Sequence, residues 1–265
     1  MAIVIDPISP VAFSVFGFGV RWYALAYIAG FVLGFWVLKR LTQSDNRQVS
    51  LSKKQFDDLF SFIVLGVIIG GRLGYVLFYN LPFFVANPLE IFAVWHGGMS
   101  FHGGLLGVII ATVLFGHKNK LNSLALLDLL AIVAPIGLFF GRIANFINME
   151  VMGRQTNVPW AVMFAGDKNV PRHPSPLYEA TLEGVLLFMI MLCLYRFTKL
   201  RRYPGALAGI MGMLYAIFRS FCELFRAPDA HIGFLTSWGL TMGQLLSGIL
   251  FFGAMALFAF AFRKK

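Results

Sequence analysis

Eight ionisable side chains fall inside long apolar stretches of the sequence, where a charge is costly. On membrane-insertion scales such a residue costs roughly 2.5–3.5 kcal/mol at the centre of a helix, so each one needs a partner or a purpose. Three are arginines, whose guanidinium groups match the oxygens of a phosphate. The set therefore suggests recognition of an anion next to lipid. The eight residues are Arg72, His102, Asp128, Arg142, Glu179, Glu183, Arg219 and Glu223.

Two groups of polar residues recur at helical spacing. Tyr215, Arg219 and Glu223 follow one another at intervals of four, which places them on one helix face, and Glu179 and Glu183 form a similar pair. One explanation is structural, in which an Arg–Glu pair holds two helices together. It would account for any one such pair taken alone. The convergence of several arginines, glutamates and a histidine favours a functional cluster instead.

His102 lies between glycine pairs in the segment WHGGMSFHGGLLG, residues 95–107. Glycine lets another backbone or a substrate come close, which is compatible with a catalytic role. A histidine in a membrane helix can equally be held by a structural hydrogen bond. The sequence contains no His-Glu-x-x-His zinc motif and no Gly-x-Ser-x-Gly nucleophile, and it has no run of aspartates that could hold metals. We therefore expect no metal.

The elements that carry these residues are predicted to be membrane helices. Of 265 residues 58% are hydrophobic and 13% are charged, which leaves too little polar surface for a soluble core of this size. Crossing a hydrocarbon layer of about 30 Å takes roughly 20 apolar residues. We expect an all-α integral membrane protein with seven transmembrane helices in one membrane domain, residues 1–265, and a small external lobe at about 149–175. The seven windows are Trp22–Leu38, Leu59–Tyr79, Gly97–Gly116, Leu121–Gly141, Pro176–Tyr195, Gly205–Leu224 and Trp238–Phe262.

Positive charge alternates from loop to loop. The loops after the first, third and fifth windows and the C-terminal end carry 14 of the 22 Lys and Arg residues, and the opposite loops carry five. The positive-inside rule then places the N-terminus outside and the C-terminus in the cytoplasm. Topology thus explains the net charge of +10, and we expect no nucleic-acid partner. In this orientation every intramembrane charge except Asp128 lies toward the outer side, which predicts a polar cavity open to the outer leaflet.

Five segments of the chain resemble one protein family. The longest is GRIANFINMEVMGR at residues 141–154, and the others are RWY at 21–23, SFHGG at 100–104, HPSPLYE at 173–179 and the stretch from Tyr215 to Arg226. In this order they resemble the bacterial prolipoprotein diacylglyceryl transferases, over essentially the whole chain. Met149 stands where the family motif has a glycine before the glutamate, and Pro176 where a polar residue is common. Both departures concern local backbone shape.

The resemblance implies an enzyme of the bacterial inner membrane, multi-pass, with its active site toward the periplasm. Such an enzyme transfers the sn-1,2-diacylglyceryl group of phosphatidylglycerol to the lipobox cysteine of a preprolipoprotein signal peptide. The products are a thioether and glycerol 1-phosphate, and no cofactor is implied. His102 would be the base, and Arg142 and Arg219 would act with it as catalytic residues. The implied substrate-binding residues are Arg142, Asn145, Glu150, Gly153, Arg154, Tyr23, Tyr215, Glu223 and Arg226.

A transporter or flippase of an anionic lipid or metabolite is the alternative, since charged cavities between membrane helices also serve transport. Transporters usually contain paired repeats and a midplane site that opens alternately to both sides. This sequence has no evident internal repeat, an odd number of windows and a one-sided set of charges. A purely structural membrane protein would leave the intramembrane charges unexplained.

Overall fold

The computed structural model describes residues 2–6, 8–15, 18–43, 48–164, 170–228, 233–237 and 239–263, most of them helical. They form two compact units: Met1–Leu38 with Asp128–Lys265 is the first, and Lys39–Leu127 is the second. The α-helices are α1 Trp22–Thr42, α2 Lys53–Phe78, α3 Leu81–Ala86, α4 Phe101–Lys118, α5 Ser123–Ile147, α6 Ser175–Glu179, α7 Leu187–Phe197, α8 Ala206–Cys222 and α9 Met242–Arg263. A π-helical segment, Ala180–Leu186, joins α6 to α7, and short 3-10 turns cover Pro88–Phe92, Val94–His96 and Leu200–Arg202.

Six helical segments in the described part of the chain are long and apolar enough to cross a membrane. They are α1, α2, α4, α5, the continuous run Ser175–Phe197 and α9. The helix in the sixth predicted window, α8, is apolar but shorter. The coarse prediction of a helical integral membrane protein is therefore confirmed. The start predicted for the last span, Trp238, lies outside the described residues, and α9 begins at Met242.

The start of α2 is set by a cap and not by hydropathy. The helix begins at Lys53, ahead of the predicted Leu59, because Ser52 and Gln55 form a capping box. The Gln55 N–H donates to Ser52 Oγ at 3.2 Å, and the Ser52 N–H donates to Gln55 Oε1 at 3.0 Å. Because this first turn is polar, a search for apolar segments places the start of the helix too late.

Glycines let α2 and α4 pack backbone to backbone inside the second unit. A Cβ added at Gly74 would lie 2.7 Å from Gly103 Cα, and one added at Gly66 would lie 2.7 Å from the Gly107 carbonyl oxygen. Gly70 lies in the same row of α2, also against Gly103 and Gly107. Larger side chains at this helix–helix interface would force the helices apart. Small residues allow the same close approach in other pairs of membrane helices.

Arg72 is a structural residue of the second unit. Its guanidinium lies 4.9 Å from the centre of the Phe84 ring, and its five N–H groups donate to five backbone carbonyls of the segment that follows α3. This corrects the expectation that Arg72 belongs with the cluster of functional charges, because no donor remains for a ligand. The five acceptors are the carbonyls of Glu90, Ile91, Ala93, Gly97 and Gly98.

Asp128, the one predicted charge of the cytoplasmic half, has a structural partner in the first unit. Its Oδ2 accepts from the Gly205 N–H at 2.9 Å and its Oδ1 from the Ala208 N–H at 2.8 Å. Gly205 has a φ of +96°, a conformation that favours glycine. The fully buried carboxylate therefore caps the start of α8 from α5.

The segment predicted to form a lobe, at about 149–175, pairs with distant parts of the first unit. Strand β1 (Ile3–Ile5) pairs in parallel with β4 (Val162–Phe164), and Val162 also bridges Arg172. Gly153 bridges Arg226, beyond the end of α8. Residues 165–169 of the predicted lobe lie outside the described residues. Strands β2 (Val11–Val15) and β3 (Phe18–Arg21) form a separate antiparallel pair.

Candidate active site

Four charged side chains meet in a buried cluster of the first unit. Arg142 lies near the end of α5 and Arg219 in the last turn of α8. Arg142 Nε is 2.8 Å from Glu179 Oε2, and its Nη2 is 3.4 Å from Glu183 Oε2. Arg219 Nη1 is 2.9 Å from Glu179 Oε1 and 3.7 Å from Glu183 Oε1. Each carboxylate thus contacts both guanidinium groups.

The two glutamates lie where α6 passes into the π-helical segment. Glu179 ends α6, and Glu183 lies inside Ala180–Leu186. A π turn holds more residues than an α turn and is frequent at functional sites. Both side chains are fully buried, and their shared contacts confirm the prediction that they lie on one face.

The cluster retains unused hydrogen-bonding capacity. The ion-pair contacts of Glu179 are short, but they lack the angular geometry of hydrogen bonds. Among the described residues, both Glu179 carboxylate oxygens, Glu183 Oε1 and Arg219 Nη1 are buried without an aligned hydrogen-bond partner. Such buried atoms are rare in folded proteins and are typical of sites that bind a ligand or water.

Glu223 links this cluster to two further side chains. Its Oε1 forms a close ion pair with Arg219 Nη2, one turn earlier, and lies 3.2 Å from Arg226 Nη1. Its Oε2 accepts from Thr241 Oγ1 at 2.9 Å. Tyr215, one turn before Arg219, is also buried on α8. The predicted row of Tyr215, Arg219 and Glu223 therefore extends to the start of α9.

A second polar group joins α1 to α5. Asn145 Nδ2 lies 3.3 Å from the Tyr23 hydroxyl and 3.0 Å from Glu150 Oε2, and Asn148 Nδ2 lies 3.4 Å from Glu150 Oε1. The structure thus brings together three of the predicted substrate-binding residues, Tyr23, Asn145 and Glu150. Glu150 is solvent-exposed, whereas Asn145 is buried.

Gly153 and Arg154 tie the lobe to the segment after α8. The Gly153 N–H donates to the His173 carbonyl at 3.0 Å, and the Arg154 N–H donates to the Phe225 carbonyl at 2.8 Å. A Cβ at Gly153 would lie 2.6 Å from His173 Cβ, so only glycine fits there. Arg154 Nε donates to the Arg226 carbonyl at 3.0 Å. These contacts bring Gly153, Arg154 and Arg226 together.

Comparison with known proteins gives this arrangement a context. A model of the prolipoprotein diacylglyceryl transferase family matches residues 10–260. The chain belongs to this family. The resemblance predicted from its motifs is therefore confirmed.

Curated relatives agree over nearly their full length. The phosphatidylglycerol–prolipoprotein diacylglyceryl transferase of Rhodospirillum rubrum is 51% identical over 259 residues, which cover 97% of this chain and 94% of the relative. The protein of the same name from Azospirillum brasilense is 53% identical over 249 residues, 93% and 92% of the two chains. That from Methylocella silvestris is 48% identical over 261 residues, 97% and 95% of the two chains.

Met149, where the resemblance predicted a glycine in this transferase, has an unusual backbone conformation. Met149 has a φ of +57° and Val151 a φ of +59°, in the turn that leads from α5 into the lobe. Glycine adopts this left-handed region without strain, while a side chain adds a steric cost of roughly 1–2 kcal/mol. The chain therefore keeps the backbone shape that glycine would allow, with Glu150 between the two strained residues.

The predicted base of this transferase, His102, belongs to the second unit. It lies in the first turn of α4, which begins at Phe101 and not at the predicted Gly97 because Gly97 and Gly98 have φ values of +85° and +79°. Ser100 caps the helix, since the Gly103 N–H donates to its Oγ at 3.2 Å. The arginines belong to the first unit, and the joint action of His102 with them stays a prediction.

Glu179 and Glu183 were placed in the functional cluster of the transferase without an individual role, and Thr241 was not singled out from the sequence. Glu179 and Glu183 were recognised as intramembrane charges, but nothing in their spacing indicated that both would contact both arginines. Thr241 precedes an apolar run and stands three residues before Gln244, which is a capping-box signature. That signature predicts the start of a helix and not a contact with Glu223.

Proposed function

We propose that this protein transfers the sn-1,2-diacylglyceryl group of phosphatidylglycerol to the lipobox cysteine of a preprolipoprotein, the first step of lipoprotein maturation. Family membership supports the reaction. One observation supports the choice of catalytic residues. Arg142 and Arg219 lie in a buried cluster, where both contact the same two carboxylates, those of Glu179 and Glu183. This cluster holds two guanidinium groups close together inside a membrane protein, where a lipid phosphate can meet them.

The reaction forms one carbon–sulfur bond and breaks one carbon–oxygen bond. The cysteine thiol has an ordinary pKa of about 8.5, so a base near it raises the fraction of thiolate. His102 takes this proton in our proposal. The thiolate then attacks the glyceryl carbon that bears the phosphate, and the phosphate leaves with its oxygen as glycerol 1-phosphate.

Arg142 and Arg219 meet the charge that grows on the departing phosphate. Donors fixed before the reaction stabilise such charge better than donors that must first reorganise. The two glutamates fix both guanidinium groups and balance their charge while no phosphate is bound. Glu223 holds Arg219 through the other terminal nitrogen, Nη2, and it also pairs with Arg226.

The remaining residues shape the head-group site in this proposal. Asn145, Tyr23 and Glu150 form one hydrogen-bonded group, and Tyr215 lies one turn from Arg219. Gly153 and Arg154 hold the lobe against the end of α8. We further propose a single membrane domain of seven transmembrane helices, with the N-terminus and the active site on the periplasmic side of the bacterial inner membrane.

The test is mass spectrometry of a lipobox peptide incubated with the purified protein and phosphatidylglycerol in detergent. A diacylglyceryl mass gain on the cysteine peptide, with release of glycerol phosphate, is the expected result. A peptide with serine in place of the cysteine is the control and gains no mass. If the folded protein modifies neither peptide, the transferase assignment is wrong, and transport of an anionic lipid becomes the better explanation.

Arg142→Ala tests the role of the arginine cluster. Transfer is abolished in this variant while the protein remains folded and membrane-inserted, as judged by its elution in size-exclusion chromatography. Full transfer by the variant would exclude Arg142 from the phosphate site.

A further inference from the structure

The Glu223 carboxylate lies between the end of α8 and the start of α9, and Thr241 holds it from the α9 side. The Gln244 N–H donates to Thr241 Oγ1 at 3.2 Å, and the Thr241 N–H donates to Gln244 Oε1 at 3.2 Å, so Thr241 is the cap of α9. A hydroxyl has one proton to donate. That proton goes to Glu223 Oε2 at 2.9 Å, and both residues are buried.

Gly243 lets the carboxylate reach this position. A Cβ at Gly243 would lie 2.6 Å from Glu223 Oε1 and 2.7 Å from its Cδ. The helices themselves are close, since a Cβ at Gly209 of α8 would lie 2.8 Å from the Ala254 carbonyl oxygen of α9. The first turn of α9 therefore packs directly on the Glu223 side chain and leaves no room for a methyl group.

The two oxygens of Glu223 have different partners. Thr241 binds Oε2, while Arg219 and Arg226 bind Oε1. Fixing Oε2 fixes the direction in which Oε1 faces the arginines. We propose that Thr241 and Gly243 are positioning residues, which hold the Glu223 carboxylate and through it the Arg219 guanidinium. Their effect on turnover rests on the proposed transferase function.

Two variants disturb this contact in different ways. Thr241→Val removes the hydroxyl at nearly constant volume, and Gly243→Ala inserts a methyl group where the carboxylate lies. Loss of a hydrogen bond to a charged group changes an equilibrium or rate constant by about 10-fold to 100-fold. We therefore expect kcat for diacylglyceryl transfer to fall by about that factor in each variant. Thr241→Ser keeps the hydroxyl, so its kcat should stay within about twofold of the wild-type value.

Matched controls separate positioning from helix stability. Gly248→Ala adds the same methyl group to α9 where nothing lies within 4 Å, and it leaves kcat unchanged. Gln244→Ala removes half of the capping box without touching Glu223, so it lowers Tm but leaves kcat of the folded protein unchanged. A Thr241→Val variant with wild-type kcat, or a Gln244→Ala variant with an equal loss of kcat, would overturn the proposal.

A stability measurement keeps this proposal separate from the transferase assignment. Tm is compared for Thr241→Val, Glu223→Gln and the double variant, because side chains that act through one contact are not additive. We expect the double variant to lose clearly less Tm than the two single losses combined. Additive losses would overturn the positioning role. Coupled losses in a protein that transfers no lipid would support the contact and refute the enzymatic function.

Discussion

Arg142 and Glu179 meet at 2.8 Å, Nε to Oε2, with the glutamate side chain 1% exposed and the arginine 19% exposed. The arginine is therefore the more accessible partner, and the carboxylate is shielded from solvent. In the proposed function an anion would meet an arginine that a buried carboxylate already aligns.

Glu179→Gln is expected to lower both stability and transfer. Removing one partner of a buried charge network leaves its counter-charges uncompensated, which costs about 3–5 kcal/mol. Here two arginines lose part of the negative charge that balances them, so Tm should fall by several degrees. The transfer rate should fall by more than the loss of folded protein accounts for. Thermal unfolding in detergent and the lipobox-peptide assay measure the two effects.

Glu90→Gln is the matched control for this experiment. Glu90 pairs with His96 at 2.8 Å, but the two side chains are 38% and 60% exposed, and exposed pairs contribute about 0–1 kcal/mol. Its Tm should stay within about a degree of the wild type. Equal Tm losses in the two variants would show that the buried ion pairs of Glu179 stabilise the protein no more than the exposed pair of Glu90.

Arg72→Lys is expected to destabilise the second unit without a direct role in the chemistry. A lysine ammonium has three donors, so it cannot serve the five carbonyls that Arg72 binds. Tm falls by several degrees, and the transfer rate of the folded fraction stays near that of the wild type. Arg202→Lys, at an exposed position, is the control and keeps its Tm. Loss of transfer with unchanged Tm would instead place Arg72 in the active site.

The helical framework and the family could be predicted from the sequence because hydropathy and contiguous motifs are local signals. Hydropathy alone missed the start of α2 because its first turn is polar, although Ser52 and Gln55 have the spacing of a capping box. The Arg–Glu cluster was anticipated from the cost of intramembrane charge. That same argument misassigned Arg72, since spacing does not tell a guanidinium bound by carbonyls from one facing a ligand. The pairing of Ile3 with Val162 depends on tertiary contacts that no local pattern encodes.

Met149→Gly is expected to stabilise the turn before the lobe relative to Met149→Ala. Both variants remove the side chain, and only glycine relieves the left-handed backbone at φ +57°. The difference should be about 1 kcal/mol, visible as a Tm that is a few degrees higher for glycine. Equal Tm values in the two variants would show that the turn relaxes without cost. Transfer should persist in both, because Glu150 keeps its partner Asn145.

His173 is expected to make the stability of the lobe depend on pH. Trp160 Nε1 donates to the Tyr178 hydroxyl at 2.7 Å, which leaves the hydroxyl proton to face His173 Nδ1 at 3.1 Å. This arrangement suits a neutral imidazole. Burial also lowers the pKa of His173 below its ordinary value of 6.5.

The sign of the pH effect follows from the lowered pKa. Below about pH 6.5 the unfolded chain takes up a proton that the folded chain resists, so stability is full above that pH and falls as pH drops through the folded pKa. Between about pH 7.5 and 5.5 the wild type should lose more Tm than His173→Gln, which cannot titrate. His117→Gln, at an exposed position, should follow the wild type. If His173→Gln shows the same pH slope as the wild type, the titrating group lies elsewhere.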